Sequence, residues 1–136
     1  LLRFHRFTGD LDCYDNNPHV IDATTYDDMQ ELLYASSALI TDYSSCIWDA
    51  SLTYKPCCIY APDLDDYLAD RNFYTPVSEW PFPMARDIDA LEEIIRDFDE
   101  EHYKKEADRH HAELGSAEKG TATRTVVTLM RKLLRS

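Results

Sequence analysis

Ala38-Leu39-Ile40-Thr41-Asp42-Tyr43-Ser44-Ser45-Cys46-Ile47-Trp48, followed shortly by Cys57-Cys58-Ile59-Tyr60, carries the reading of the fold. Ala38-Leu39-Ile40 is a short continuous apolar run, the pattern of a parallel strand buried on both faces. Thr41 to Ser45 is a polar turn. Ile47, Trp48, Ala50, Ser51 and Leu52 continue as a helix that must stop before Lys55-Pro56, because the residue preceding a proline is pushed out of helical geometry. Cys57 to Tyr60 is the next strand. A strand joined to a strand through a helix pairs in parallel, which predicts an α/β fold with a doubly wound, Rossmann-like sheet.

Working outward, the same alternation continues. Leu1 to His5 reads as a strand, Arg6 to Asn17 as a polar loop, and His19 to Asp22 as a brief β-branched strand. Thr25 to Asp28 supplies capping residues for a helix whose stripe is Met29, Leu32 and Leu33. Beyond Pro62, Asp63 to Ala69 is a short acidic helix and Arg71 to Met84 an aromatic loop punctuated by proline. Leu91, Ile94, Ile95 and Phe98 mark an amphipathic helix begun by Asp87 or Asp89. A charged helix covers about Glu101 to Leu114. After Gly115-Ser116 the last helix sets Val126, Leu129, Met130 and Leu133 against Arg124, Arg131 and Arg135. The 136 residues suit one domain, 1–136, with terminal helices over 87–136. The opening Leu1-Leu2-Arg3-Phe4 resembles a strand taken mid-fold, so the chain is expected to be part of a larger protein.

Charge excludes some partners. Net charge is −12, and all 26 acidic residues precede Lys119. The body up to Glu118 carries −17 and the remainder +5. An acidic body argues against nucleic-acid binding, which depends on neutralising phosphates. The basic final helix reads either as a solvated face or as a contact for anionic lipid or polymer. The four cysteines lack C-x-x-C spacing, which points to reduced thiols, a cytoplasmic setting and no zinc site. No apolar run reaches the roughly 20 residues of a membrane helix.

The Thr41–Ser45 turn holds the chemistry. In an open parallel sheet, ligands bind outside the carboxyl ends of the strands. A helix start there offers unpaired N–H groups, and Ser44 and Ser45 add hydroxyl donors suited to phosphate oxygens. Read alone, the turn favours plain capping by Asp42 or Ser44, the ordinary residues of a helix start. A P-loop is excluded, since no G-x-x-x-x-G-K-[ST] occurs. Asp63-Leu64-Asp65 spells D-x-D but opens a helix and reads as acidic capping. His110 and His111 point about 100° apart on a helix and cannot chelate together.

The run from Val20 to Tyr60 resembles the CDP-glycerol glycerophosphotransferases of teichoic-acid synthesis, of polymerase and primase type. The resemblance rests on Ile21-Asp22, Asp28, Glu31-Leu32-Leu33, the Leu39 to Ser45 run, Asp49 and Lys55-Pro56. It continues through Tyr60, Asp63-Leu64, Tyr67, Arg71, Phe73-Tyr74, Gly120 and Arg124, and T-D-Y-S-S is its most specific part. It implies a two-domain, glycosyltransferase-like GT-B architecture, of which this chain is similar to the carboxyl-terminal, donor-binding domain. Ser44 and Ser45, with Thr41 and Asp42, would then lie at the donor diphosphate. His5 would be catalytic, near the reacting phosphate. Arg124 would approach phosphate or make a surface ion pair. Thr25 and Tyr26 would line the base or ribose pocket or cap the next helix. Asp49 would orient Ser44 or the polyol, or remain a surface acid.

Three departures from the family pattern stand out. His5-Arg6 replaces His-Pro, Arg71-Asn72 replaces Arg-Gly, and Pro81-Phe82-Pro83 replaces a Pro-Gly-Pro-like loop. The resemblance implies transfer of glycerol phosphate from CDP-glycerol to an anionic polyol-phosphate polymer, without cofactor or metal. The amino-terminal domain of the same enzyme would supply the acceptor base. The full-length enzyme would be cytoplasmic and peripheral to the inner face of the cell membrane. CDP-ribitol, a UDP-sugar glycosyltransferase of the same fold, and a non-catalytic α/β interaction module are the alternatives.

Overall fold

A computed structural model describes residues 1–4, 17–71 and 73–135. Its centre is a parallel sheet of β1 (Leu39–Thr41), β2 (Cys57–Tyr60) and β3 (Met84–Ala85), in that spatial order. Leu39 pairs with Cys57, Ile40 with Cys58 and Thr41 with Ile59; Ile59 then faces Met84 and Tyr60 faces Ala85. Cys57, Cys58 and Ile59 are all buried, as the central strand requires. Burial pushes the Cys58 thiol up to about 11, so it stays protonated and apolar in character. Cys46, Cys57 and Cys58 are free thiols.

Six α-helices and a short 3-10 helix, Val77–Glu79, accompany the sheet among the described residues. The first, α1 (Met29–Ala35), begins where Asp28 Oδ1 accepts the Glu31 N–H at 3.1 Å. Its other end is closed from a distance: Lys55 Nζ donates to the carbonyls of Leu33 (3.0 Å) and Tyr34 and lies over the Tyr34 ring. A cation there meets carbonyls that the helix cannot satisfy itself. Next come α2 (Cys46–Ser51) and α3 (Leu64–Asp70). Asp87 caps α4 (Ile88–Arg96) and Asp99 caps α5 (Glu100–Glu113), each carboxylate accepting an N–H three residues on. The last helix is α6 (Ala122–Leu133).

Helix α5 closes the core through side chains the charged sequence disguises. Tyr103 and Ala107 are buried, and His110 stacks on Trp48 with ring centroids 5.2 Å apart and planes at 13°. The neighbouring His111 meets Ser51 Oγ at 3.1 Å. The Ser51 hydroxyl proton already goes to the Trp48 carbonyl at 2.7 Å, so His111 donates from Nε2. Trp48 also packs edge-on against Trp80 and Phe82, geometry worth about 0.5–1.5 kcal/mol per pair beyond area burial. By contrast every described residue of α6 is exposed, including Leu129 and Leu133.

The alternating α/β pattern and parallel sheet match expectation, and several elements differ in detail. The strands expected over Leu1–His5 and His19–Asp22 reduce to one parallel bridge, Leu2 to Asp22, among the described residues. The ladder stops because the Phe4 N–H goes to Thr24 Oγ1 and the Ala23 carbonyl accepts the Tyr26 N–H instead. β1 has only one neighbouring strand among the described residues, so Ile40 is 48% exposed rather than buried. The segment read as loop up to Met84 ends in β3, whose two paired residues are too few to show a period.

Two features of this packing can be tested through stability. Replacing Ile59, fully buried in the middle strand, with alanine removes its side chain from a site that cannot collapse easily. Urea titration should show a loss of about 2–5 kcal/mol. The second concerns His110, which burial holds below the ordinary imidazole range; Glu113 and Glu79 pull upward, His111 and Arg109 downward. The unfolded chain therefore binds the proton first as pH falls, and stability drops below about pH 6.5. Thermal midpoints measured between about pH 7.5 and 5.5 should decline by a few degrees, and His110→Phe should flatten that decline.

Candidate functional site

The site begins with the geometry of a parallel sheet. The turns following β1 and β2 both leave from the carboxyl ends of their strands, so both lie on one rim. The first is Asp42 to Ser45. Asp42 Oδ1 accepts the Ser44 N–H at 3.2 Å, folding the turn on itself. Ser44 Oγ accepts the Cys46 N–H at 3.4 Å, a long bond. Ser45 occupies the N-cap position of α2, yet its side chain makes no capping bond and the residue is exposed. Thr41, half-buried below, sets Oγ1 4.0 Å from Cys46 Sγ.

Among the described residues, neither the hydroxyl nor the backbone N–H of Ser45 donates a hydrogen bond. The dipole of α2 adds little, because six residues make fewer than two turns. The chemistry available is neutral hydrogen-bond donation to an anion's oxygens, from a turn whose shape Asp42 sets.

Tyr43, between Asp42 and Ser44, is turned toward the second rim loop. Its ring stacks on Tyr67 with centroids 3.8 Å apart, and its hydroxyl donates to Asp63 Oδ1 at 2.8 Å. Burial, then the Asp63 bond, pushes the Tyr43 phenol well up, so it stays protonated and donating. Asp63 stands at the N-cap position of α3 but makes no capping bond there. Asp65 meets Arg86, just past β3, through two bonds at 2.8 and 3.3 Å. The Arg86 bonds hold the Asp65 carboxyl below the usual carboxylate range. Asp63-Leu64-Asp65 is thus not the acidic cap expected: one carboxylate serves Tyr43 and the other Arg86. Sequence reasoning passed over Tyr43 and Arg86; the only hint was two acids bracketing Leu64 on a helix start.

Other predicted residues lie apart. Thr25 and Asp49 are exposed. The Tyr26 hydroxyl donates to Glu31 Oε2 at 2.6 Å, and its carbonyl accepts from Arg3 at 2.8 Å. Tyr26 is thus braced against α1, with the residue 46% exposed. Arg124 is exposed on α6, and among the described residues no hydrogen bond or ion pair joins its side chain to the Ser44–Ser45 turn. His5 lies outside the described residues. No group of three or more potential metal ligands occurs among them.

A cleft of about 600 Å³ lies elsewhere, between Ser78–Pro83 and the facing ends of α4 and α5. One wall, Ser78–Pro83, precedes β3 at the amino end of the strand, and the lining carries Glu79, Glu93, Asp97, Asp99 and Glu106 against Arg109, which is already paired with Glu106 and Glu113. Those carboxylates would repel a diphosphate.

Comparison with known proteins identifies the family and the fold. The sequence model of the CDP-glycerol:poly(glycerophosphate) glycerophosphotransferases matches residues 1–132. A teichoic acid ribitol-phosphate primase of Bacillus spizizenii is 34% identical over 103 residues, 75% of this chain and 26% of the relative. A teichoic acid poly(glycerol phosphate) polymerase of Staphylococcus epidermidis is 29% identical over 144 residues, 97% of this chain and 19% of the relative. The solved structure of the wall teichoic acid polymerase TagF superposes with a TM-score of 0.75 at 29% identity, covering 93% of this chain and 31% of that one. A variant of TagF soaked with CDPG gives 0.72 at 30% identity, covering 90% and 31%. The chain spans between a fifth and a third of the length of these relatives.

The turn makes a checkable distinction. Asp42→Ala, which removes the carboxylate that folds the turn, should cost about 1 kcal/mol in urea unfolding. Ser45→Ala should stay within about 0.5 kcal/mol of the parent, because that hydroxyl serves no capping bond in the fold.

Proposed function

The chain belongs to the CDP-glycerol:poly(glycerophosphate) glycerophosphotransferase family, and from that premise we propose that residues 1–136 form the donor-binding domain of a two-domain enzyme of this kind. The full-length enzyme transfers glycerol phosphate from CDP-glycerol to a polyol-phosphate acceptor and releases CMP. The observation that carries this reading is the Ser44–Ser45 turn at the carboxyl end of β1, open at Ser45, with one hydroxyl and one N–H left for a ligand.

In the reaction an acceptor hydroxyl attacks the β-phosphorus of CDP-glycerol. The new P–O bond forms as the bond to the CMP oxygen breaks, and the acceptor proton passes to a base in the amino-terminal domain. Positioning and charge stabilisation supply most of the acceleration in phosphoryl transfer. Ser44 and Ser45 donate to the diphosphate oxygens, with Thr41 and Asp42 shaping the turn beneath them. His5 donates to the reacting phosphate or assists departing CMP. Arg124 approaches the same charge from α6, which requires α6 to be placed by the rest of the enzyme. Thr25 and Tyr26 line the nucleoside side, and Asp49 meets the polyol. No metal or cofactor takes part.

This reading sets the full-length enzyme in the cytoplasm, peripheral to the membrane. The peripheral contact is supported by α6, which presents exposed Val126, Leu129, Met130 and Leu133 opposite Arg124, Arg131 and Arg135. Such a helix suits either a membrane surface or the remaining protein. A CDP-ribitol donor is the second reading, favoured by the ribitol-phosphate primase among the relatives.

Thermal unfolding of the full-length enzyme with each donor tests both. CDP-glycerol at about a hundred times its Kd should add about 2.7 kcal/mol of stability, while UDP-sugars add none. Greater protection by CDP-ribitol would transfer the assignment to that donor. Protection by UDP-sugars alone would remove the phosphotransferase reading. The isolated 136-residue chain should release no CMP from CDP-glycerol.

A further inference from the structure

We propose that Tyr43 and Asp63 act as a positioning pair that holds the Ser44–Ser45 turn in register with the adjacent rim loop, so that donor affinity depends on a hydrogen bond which touches no substrate. The inference rests on the donor-binding reading of that turn.

The turn has few restraints of its own. Asp42 folds it locally, Ser44 makes one long bond to Cys46, and Ser45 makes no capping bond through its side chain. A turn so lightly held would sample several placements of its donors, and each would lower the affinity for an anion. The restraint from outside is Tyr43. Its position directly between Asp42 and Ser44 means that fixing its ring fixes the backbone on both sides.

That ring is fixed twice. It stacks on Tyr67 of α3 at 3.8 Å, with Phe73 tilted 5.9 Å away, and its hydroxyl reaches Asp63 Oδ1 at 2.8 Å. Asp63 forgoes capping its own helix to accept this bond, although an N-cap bond is ordinarily the local use of such a residue. The next acid in the helix continues the linkage. Asp65 pairs with Arg86, which follows β3, so the loops after β1, β2 and β3 are joined in sequence across one rim. The Tyr43 bond to the Asp63 carboxylate, at 2.8 Å, is shorter than either bond within the turn, 3.2 Å from Ser44 N–H to Asp42 and 3.4 Å from Cys46 N–H to Ser44, and donors to a carboxylate make the stronger kind of bond. Preorganised donors bind a charged group without paying to order themselves.

The test uses the full-length enzyme. Tyr43→Phe keeps the stacking and removes only the hydroxyl; Asp63→Ala removes its acceptor; Asp63→Asn retains an acceptor oxygen. Tyr43→Phe and Asp63→Ala should each raise KM for CDP-glycerol about five- to tenfold with kcat within about twofold, and the double variant should be no worse than either alone. Asp63→Asn should recover most of the loss. Ser45→Ala, run alongside, reports on the site itself. A raised KM in Ser45→Ala with an unchanged KM in Tyr43→Phe would overturn the positioning pair while leaving the site in place. An unchanged KM in Ser45→Ala would overturn the site reading and the pair with it. Multiplicative losses in the double variant, or no recovery by Asp63→Asn, would show that the two residues act separately and would also overturn the pair.

Discussion

The parallel pairing of β1 with β2 is the constraint on which the rest depends. Leu39 opposite Cys57 and Thr41 opposite Ile59 set both strands running the same way. A parallel pair cannot be joined by a tight turn, so a helix must cross between the strands. That crossover delivers Asp42–Ser45 and Pro62–Asp65 to the same edge of the sheet. Had the strands been antiparallel, Tyr43 and Asp63 would sit at opposite ends of the sheet. The hydrogen bond between loops follows from strand direction.

Burial of β2 maintains this pairing. Cys57, Cys58 and Ile59 are covered, and around them lie Leu33, Ile47, Ala50, Leu64, Phe82 and Tyr103 from separate segments of the chain. Helix α5 contributes Tyr103, Ala107 and His110 to this closure while keeping its charged face outward. His110 serves as an aromatic plate against Trp48, and His111 as a donor to Ser51. Two neighbouring residues of one type thus play unrelated parts, because a helix turns them toward different partners.

The rim is assembled from polar residues whose local uses have been set aside. Asp63 could cap α3 and Ser45 could cap α2, yet neither side chain makes that bond. One is drawn to Tyr43 and the other remains open. A cap residue that leaves its helix uncapped gives up local stabilisation, which packing elsewhere in the fold must offset. Departures from local preference of this kind collect where structure serves binding, and both lie at the carboxyl ends of adjacent strands.

The amino-acid pattern by itself determined the α/β class, a strand read over Ala38–Ile40 that the structure sets at Leu39–Thr41, the strand Cys57–Tyr60, a helix start within Thr25–Asp28 that falls at Asp28, and the polar turn that ends at Ser45. Each is written in neighbouring residues: short apolar runs, capping side chains, a proline that stops a helix. Tertiary structure alone decided that Ile40 is half exposed, that Met84–Ala85 is a strand, that His110 is buried and that Lys55 closes α1. It also decided that Tyr43 meets Asp63 and Asp65 meets Arg86. Those contacts join residues 20 and 21 positions apart, where no periodicity connects them. Their partners are chosen by which loops a parallel sheet places side by side, and a linear pattern carries no record of that adjacency until the chain has folded.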